Sequence, residues 1–447
     1  MRQRSYKGEK SGMKYPVEPK LSKLAREIIE YGQLAHEIGS QEVASVWSGI
    51  EEKMQEAIIK LNEMSIDQDL ADREPNELSA IQSLRKEGPR RLWDSLDMTV
   101  YKDKLEGAIL ARFAGCTLGA PVEFWEVHEM EQWAAYIGDS FPPLAYWSSI
   151  KNPNDIRYGK SKFYEYTLAG MKGVPVDDDI TYTILGLLIA EEHGLDFRTE
   201  DVGKSWLKYL PIACTAEEVA LNNLKASIPA LEAAEKNNPY YQWIGADIRS
   251  DAWAYLAPAF PAKAAEYAYR DAYLSHRRNG IYGEMFFSAA QSAAFAVDHP
   301  EQALRIGLSE IPKACTLYKD VEWALSVSKE VRDYKAARAA VDERFKGMSG
   351  AHTNNNACLT IFGLMIGGTD VSKVISETVA MGLDNDCTAA TAGSIVGAIV
   401  GKSGVPTHWY EPFEDTVITY MNNAERFRIS DLVERFALLA KQSYSEV

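Results

Sequence analysis

Long hydrophobic runs are missing from this chain. No window holds the roughly 18 consecutive apolar residues of a spanning helix. The longest small-apolar stretch, from Ala389 to Val400, is interrupted by Thr391, Gly393, Ser394 and Gly397. A membrane partner is not expected. Cysteine is scarce: Cys116, Cys214, Cys315, Cys358 and Cys387 lie far apart with no CxxC pair. That argues against a disulfide framework or a thiolate zinc cage, and for reduced thiols in a cytoplasmic setting. The opening residues, MRQRSYKGEKSGMKYPVEPK, carry basic charge without an apolar stretch behind it, so they do not read as a signal peptide. Positive charge is in deficit, with 48 Lys and Arg against 64 Asp and Glu and a formal net charge of -16. Nucleic acid is therefore not an expected partner, because phosphate backbones are bound through Lys and Arg. The seven histidines form no HxxxH or HExxH pattern, and GxSxG, P-loop and dinucleotide-binding glycine patterns are lacking too. Runs of β-branched and aromatic residues long enough for strands are also missing, and the chain reads as all-α.

What is present is an ordinary globular composition, 447 residues with 46% hydrophobic and 25% charged. A chain of this length builds a core without disulfides or a structural metal. Residues 1–20 read as an unstructured tail. Leu21, Leu24, Ile28, Tyr31, Ala35 and Ile38 recur at helical spacing, as do Val43, Val46, Ile50, Met54, Ala57 and Leu61. A further helix is predicted from Leu78 to Arg85, and GPRRLWDSLDM from Gly88 reads as a linker. Residues 21–100 are thus a helical extension, with the main domain spanning 101–447. Beyond Tyr101, helices are predicted to start near Asp103, Asp179, Thr215, Pro261, Tyr282, Pro300, Asp320, Ala351, Asp370, Ala389 and Ser430. Tyr146, Trp147, Tyr240, Tyr241, Trp243 and Trp253 fall between helices, either as core wedges or as walls of a cleft.

Three segments hold side chains suited to chemistry. In VDDDITYTILGLL, from Val176, Asp177, Asp178 and Asp179 stand directly before a helix. One Asp suffices as a cap; three repel one another, and a bound cation would relieve that. In GLDNDCTAATAGSIVGAIVG, from Gly382, Asp384 and Asp386 flank Asn385 before a helix with Gly393, Gly397 and Gly401 four apart. Each Gly costs about 1 kcal/mol of helix propensity relative to Ala, so such a face implies close approach of a second backbone. In EGAILARFAGCTLGAPVEFW, from Glu106, Gly107, Gly115 and Gly119 make another thin helical face, and Pro121 ends it just ahead of Glu123. Helix capping and core packing explain each segment separately. Together they are the parts of a one- or two-metal carboxylate site in a helical bundle, with oxygen donors that suit Mg²⁺ or Mn²⁺.

These segments, in this order, resemble the ADP-ribosylglycohydrolase family, which includes the dinitrogenase-reductase-activating glycohydrolases. The likeness runs from about Tyr101 to about Lys441, and NGIYGEMF from Asn279 and HWYEPFED from His408 look like a bacterial branch of that family. The resemblance implies an all-α fold with one or two Mg²⁺ or Mn²⁺ ions in a central cleft. It implies Asp177, Asp178, Asp179, Asp384, Asp386 and Cys387 as metal ligands, and Glu123, Asp178 and Asp386 as the catalytic carboxylates. It further implies hydrolysis of a glycosidic bond to ribose, in an ADP-ribosyl conjugate or a smaller ribosyl N-glycoside. A non-catalytic module that binds an ADP-ribose-like ligand is the alternative. Asp177 and Ile180 stand where the family has Thr, as do Asn385 and Cys387. GADIRSDAWAYLAP, from Gly245, corresponds to the family's phosphate loop, with Arg249 placed to meet a phosphate. His276, Tyr282 and His352 are the other candidate substrate contacts. No oligomeric state follows from the sequence.

Overall fold

The computed structural model describes residues 15–17 and 19–445, so most of the expected unstructured tail lies outside the described residues. The described residues divide into two compact units, one ending at Asp72 and one beginning at Arg73. In the first, α1 (Leu21–Glu37) and α2 (Val43–Asn62) form a helical hairpin. Gly32 of α1 lies under the Trp47 ring, with no room for a Cβ, and the Trp47 indole N–H donates to the Ile28 carbonyl at 3.3 Å.

α3 (Gln68–Arg73) spans the divide, and α4 (Leu78–Ser83) follows. α5 (Met98–Gly119) starts where Asp97 accepts from the Thr99 and Val100 amides, and α6 (Val127–Ile137) comes next. A short hairpin, β1 (Ile156–Arg157) and β2 (Ser161–Lys162), precedes α7 (Asp178–His193). Then come α8 (Thr199–Tyr209), α9 (Thr215–Lys225), α10 (Ser250–Leu256), α11 (Pro261–Ala272), α12 (Asn279–Ala294), α13 (Pro300–Leu308) and α14 (Thr316–Val327). The chain finishes with α15 (Tyr334–Arg344), α16 (Thr353–Gly367), α17 (Val371–Ala380), α18 (Asn385–Val400), a second hairpin, β3 (Thr416–Ile418) and β4 (Arg426–Arg428), and α19 (Ile429–Ser445). Among the described residues the fold is all-α apart from these two small hairpins.

α12 and α18 consist mostly of apolar and small residues and are buried almost throughout, as befits central helices. α8, α11, α13 and α19 carry a polar face and surround them. The pairing of α5 with α18 fixes the centre of the fold. A Cβ on Gly115 would run into the Ala389 carbonyl, one on Gly393 into the Ala111 carbonyl, and one on Gly397 into the Gly107 carbonyl. The two glycine faces expected from the sequence therefore meet each other. Because the helices run antiparallel, Gly119 at the end of α5 lies against Asp386 at the start of α18. That contact brings Glu123 to the second acidic segment.

The segment ahead of α5 is not a free linker. Glu74 is buried, pairs with Arg278 and accepts from the Thr316 amide at 2.7 Å. Arg85 and Arg90 both reach the fully buried Glu310, at 2.5 and 2.6 Å, and the Leu92 amide donates to Ala259. A buried carboxylate must be paired, and these arginines supply the pairing. The boundary expected near residue 100 thus lies inside the larger unit as the contacts define it.

Candidate active site

Asp177, with an extended backbone, stands directly before α7 and caps it, its side chain accepting from the Asp179 amide at 3.0 Å. Capping uses one oxygen of one Asp, so the other two carboxylates of the run serve something else. The Asp178 carboxylate accepts from the Tyr158 hydroxyl at 2.7 Å, and Asp179 is buried, with one carboxylate oxygen that has no hydrogen-bond partner. α18 begins beyond Asp384, and Asp386 sits in its first turn with one oxygen buried and likewise without a partner. Glu123 follows the short 3-10 turn Ala120–Val122 that ends α5. The Phe124 amide donates to the Leu383 carbonyl at 2.9 Å, and both residues take positive φ, 58° each. This tie between two strained turns fixes Glu123 beside Asp384.

The three segments converge. Glu123, Asp384 and Asp386 each offer a carboxylate oxygen, all within 4.8 Å of one another. Burial and then the neighbouring Asp386 charge push Asp384 and Asp179 well above the usual carboxylate range. Asp386 is pushed up by burial and by Glu123, with Arg157 opposing. Asp177 is raised to about 7 by burial, and Arg157 again pulls the other way. Crowded, desolvated carboxylates of this kind call for positive charge. The oxygen donors of Glu123, Asp384 and Asp386, with one Asp386 oxygen buried and free of hydrogen bonds, fit a hard divalent cation.

A second group at ligand distance joins Cys116, Asp177 and Asp179. Its thiol is buried and raised by that burial, which suits a hard cation poorly. Cys387, the thiol expected at the metal, is buried on α18 and belongs to neither group among the described residues.

The acidic floor opens into a cleft of about 160 Å³ walled by Phe124, Tyr158, Tyr182, Trp243, Ile244 and Ile248. Trp243 is thus a cleft wall, whereas Trp147 and Trp253 are core wedges with at most 1% exposure. The four expected substrate contacts fall elsewhere. Arg249 is 2% exposed, and its donors go to Glu217, the Gly245 carbonyl, Asp271, Ser275 and Glu284. A buried guanidinium needs all its hydrogen bonds satisfied, and this one has no N–H left over for a phosphate. Tyr282 is buried and donates to the Pro75 carbonyl at 2.5 Å. His276 is buried against Ser275, its Nδ1 2.8 Å from the hydroxyl. His352 caps α16, its Nδ1 accepting from the Asn354 amide at 3.1 Å. These are helix-packing and capping roles, and none of the four lines the cleft among the described residues.

One residue at the heart of the site escapes a reading of the sequence. Arg157 of β1 donates from Nε to Asp177 at 2.9 Å, from Nη1 to Glu123 at 2.8 Å and from Nη2 to Asp386 at 2.9 Å. It joins one carboxylate from each of the three acidic segments. No motif surrounds it, since IRYGK reads as any polar turn. Tyr158, its neighbour, likewise belongs to no motif.

A helical bundle with carboxylates from three helix ends in one cleft defines the class. Residues 97–446 match the family described as ADP-ribosylglycohydrolase, and the chain belongs to that family. Among solved structures it is similar to an ADP-ribosylglycohydrolase-related protein complex, at 16% identity and a TM-score of 0.50 over 77% of this chain and 99% of that one. That likeness extends to the fold. No curated protein matches. Family and fold make this chain a glycoside hydrolase-like enzyme. Among the described residues no helix is long and apolar enough to cross a membrane.

Proposed function

We propose that this enzyme hydrolyses a glycosidic bond to ribose with the help of Mg²⁺ or Mn²⁺, in the cleft floored by Glu123, Asp178, Asp179, Asp384 and Asp386. The observation that carries this reading is the convergence of Glu123, Asp384 and Asp386, three carboxylates from two distant segments within 4.8 Å of one another. Glu123, Asp384 and Asp386 would hold a divalent ion there, which would supply Lewis acidity and positive charge to the reaction. The protein's own groups do the rest. Glu123 stands at the cleft edge with one oxygen on Arg157. Its second oxygen serves as general base or acid as C1 takes on oxocarbenium character. Tyr158 holds Asp178 in place, and Asp386 contributes its unpartnered oxygen.

The cleft is smaller than the roughly 300–1,000 Å³ usual for drug-sized ligands, which supports a ribosyl group with a compact leaving group over a fully enclosed ADP-ribosyl unit. Phe124, Tyr182 and Trp243 supply flat apolar faces for that leaving group. The five free cysteines support a cytoplasmic setting. Release of product from ADP-ribosylated arginine, ADP-ribosylserine and simple nucleosides, with and without Mn²⁺, tests the reading. Turnover of at least one that rises with Mn²⁺ supports it. Ligand binding without turnover on any would favour a binding module instead.

A further inference from the structure

The guanidinium of Arg157 sits among carboxylates drawn from all three acidic segments. Its side chain is 12% exposed, and all three nitrogens are spent on carboxylates, with Nη1 also 3.4 Å from the Ala120 carbonyl. The hairpin that carries it is pinned from several sides. Tyr158 stacks on Tyr420 with ring centroids 5.1 Å apart and donates to Asp178. The Ser161 hydroxyl accepts from the Val176 amide at 3.2 Å, Tyr166 donates to the Val176 carbonyl, and the Phe163 amide donates to Asp155 at 2.9 Å. A planar fork can bridge several carboxylates at fixed geometry, which a lysine ammonium cannot.

The oxygens left over decide how many ions fit. Asp177 has one oxygen on the Asp179 amide and the other on Arg157, so both are already engaged within the protein. The group that Asp177 and Asp179 form with Cys116 includes a buried thiol, which suits a hard cation poorly. Among the described residues the all-oxygen group at ligand distance is Glu123, Asp384 and Asp386, with one Asp386 oxygen free of hydrogen bonds, and this makes a single place.

We infer that Arg157 is a resident cation standing in for a second divalent ion, so that each chain takes up one Mn²⁺ or Mg²⁺. This rests on the metal-dependent reading of the site. Arg157 is here a positioning residue: it neutralises and orients Glu123, Asp177 and Asp386, and unlike a metal it cannot coordinate the substrate diol.

The test is the Mn²⁺ stoichiometry of the full chain, by calorimetry and by electron paramagnetic resonance, for the wild type, Arg157→Met and Arg157→Lys. The expected result is one ion in the wild type and in Arg157→Lys, and two ions with a spin-coupled signal in Arg157→Met. Arg157→Met is also expected to melt below the wild type in chelator and to gain more than the wild type from saturating Mn²⁺. Two ions in the wild type, or one in both the wild type and a folded Arg157→Met, would overturn the inference while leaving metal dependence intact. No uptake by any of the folded proteins would overturn the metal-dependent reading itself. Should Arg157→Met fold only with Mn²⁺ present, the inference is supported; should it fail to fold even then, the wild-type count decides alone.

Discussion

Glu123 owes its place to a proline. Pro121 stops α5, the turn that follows swings the chain outward, and the next carboxylate meets Asp384 and Asp386. Glu123→Gln keeps the shape and removes the base. Turnover on the substrate that the release assays identify should fall by roughly 10²–10⁴-fold, the usual share of general acid–base catalysis; a loss under tenfold would move the role to another residue. His352 allows a prediction about pH. Burial lowers it from 6.5 to about 4, so it is neutral in the folded chain and charges on unfolding. A group whose folded pKa is depressed costs stability as pH falls from 6.5 towards 4, and buried His276 shifts in the same direction. His352→Asn keeps a capping side chain and should flatten the acid limb of a stability–pH curve measured by urea denaturation. An unchanged limb would show that the histidine is not the group titrating. At this scale the acidic residues were legible in the sequence, because capping needs one Asp and the chain supplies runs. Arg157 was not, because its partners lie 20, 34 and 229 residues away and nothing local marks a guanidinium as theirs. Arg249 misled for the opposite reason: it sits in the expected loop, but Glu217, Asp271 and Glu284 draw it inward from other helices.

Helices were the most readable level. Those expected near Thr215, Pro261 and Pro300 begin there, since each carries a clear start signal, and the others expected beyond Tyr101 begin within a few residues of the positions read. α6, α8, α10 and α15 are not among the expected helices; α10, 7 residues long and buried on every side, shows no periodic face. The glycines of α5 and α18 were readable as thin faces, but that they face one another required the fold. Gly115→Ala should lower stability by about 1–3 kcal/mol through overpacking against Ala389. Gly49→Ala, in α2 with open space around it, should raise stability by up to about 1 kcal/mol. Chemical denaturation of both separates close approach from propensity, and a neutral Gly115→Ala would contradict the backbone contact on which the placement of Glu123 depends.

For the molecule as a whole, the family match begins at residue 97 but the compact unit begins at Arg73. The difference is the strap that carries Glu74, Arg85 and Arg90. A chain beginning at Asp97 should melt below one beginning at Arg73, because it loses the Arg85 and Arg90 pairs to Glu310 and the Glu74 pair to Arg278. Equal melting temperatures would make the strap dispensable. The acidic side chains of three segments, gathered in one cleft, are the feature on which the proposed chemistry turns. Mn²⁺ titration of the wild type against the double variant Asp384→Asn with Asp386→Asn, followed by calorimetry, tests that most directly. Saturable uptake by the wild type and its loss in the folded double variant is the predicted result; equal uptake by both, or none by the wild type, would contradict it.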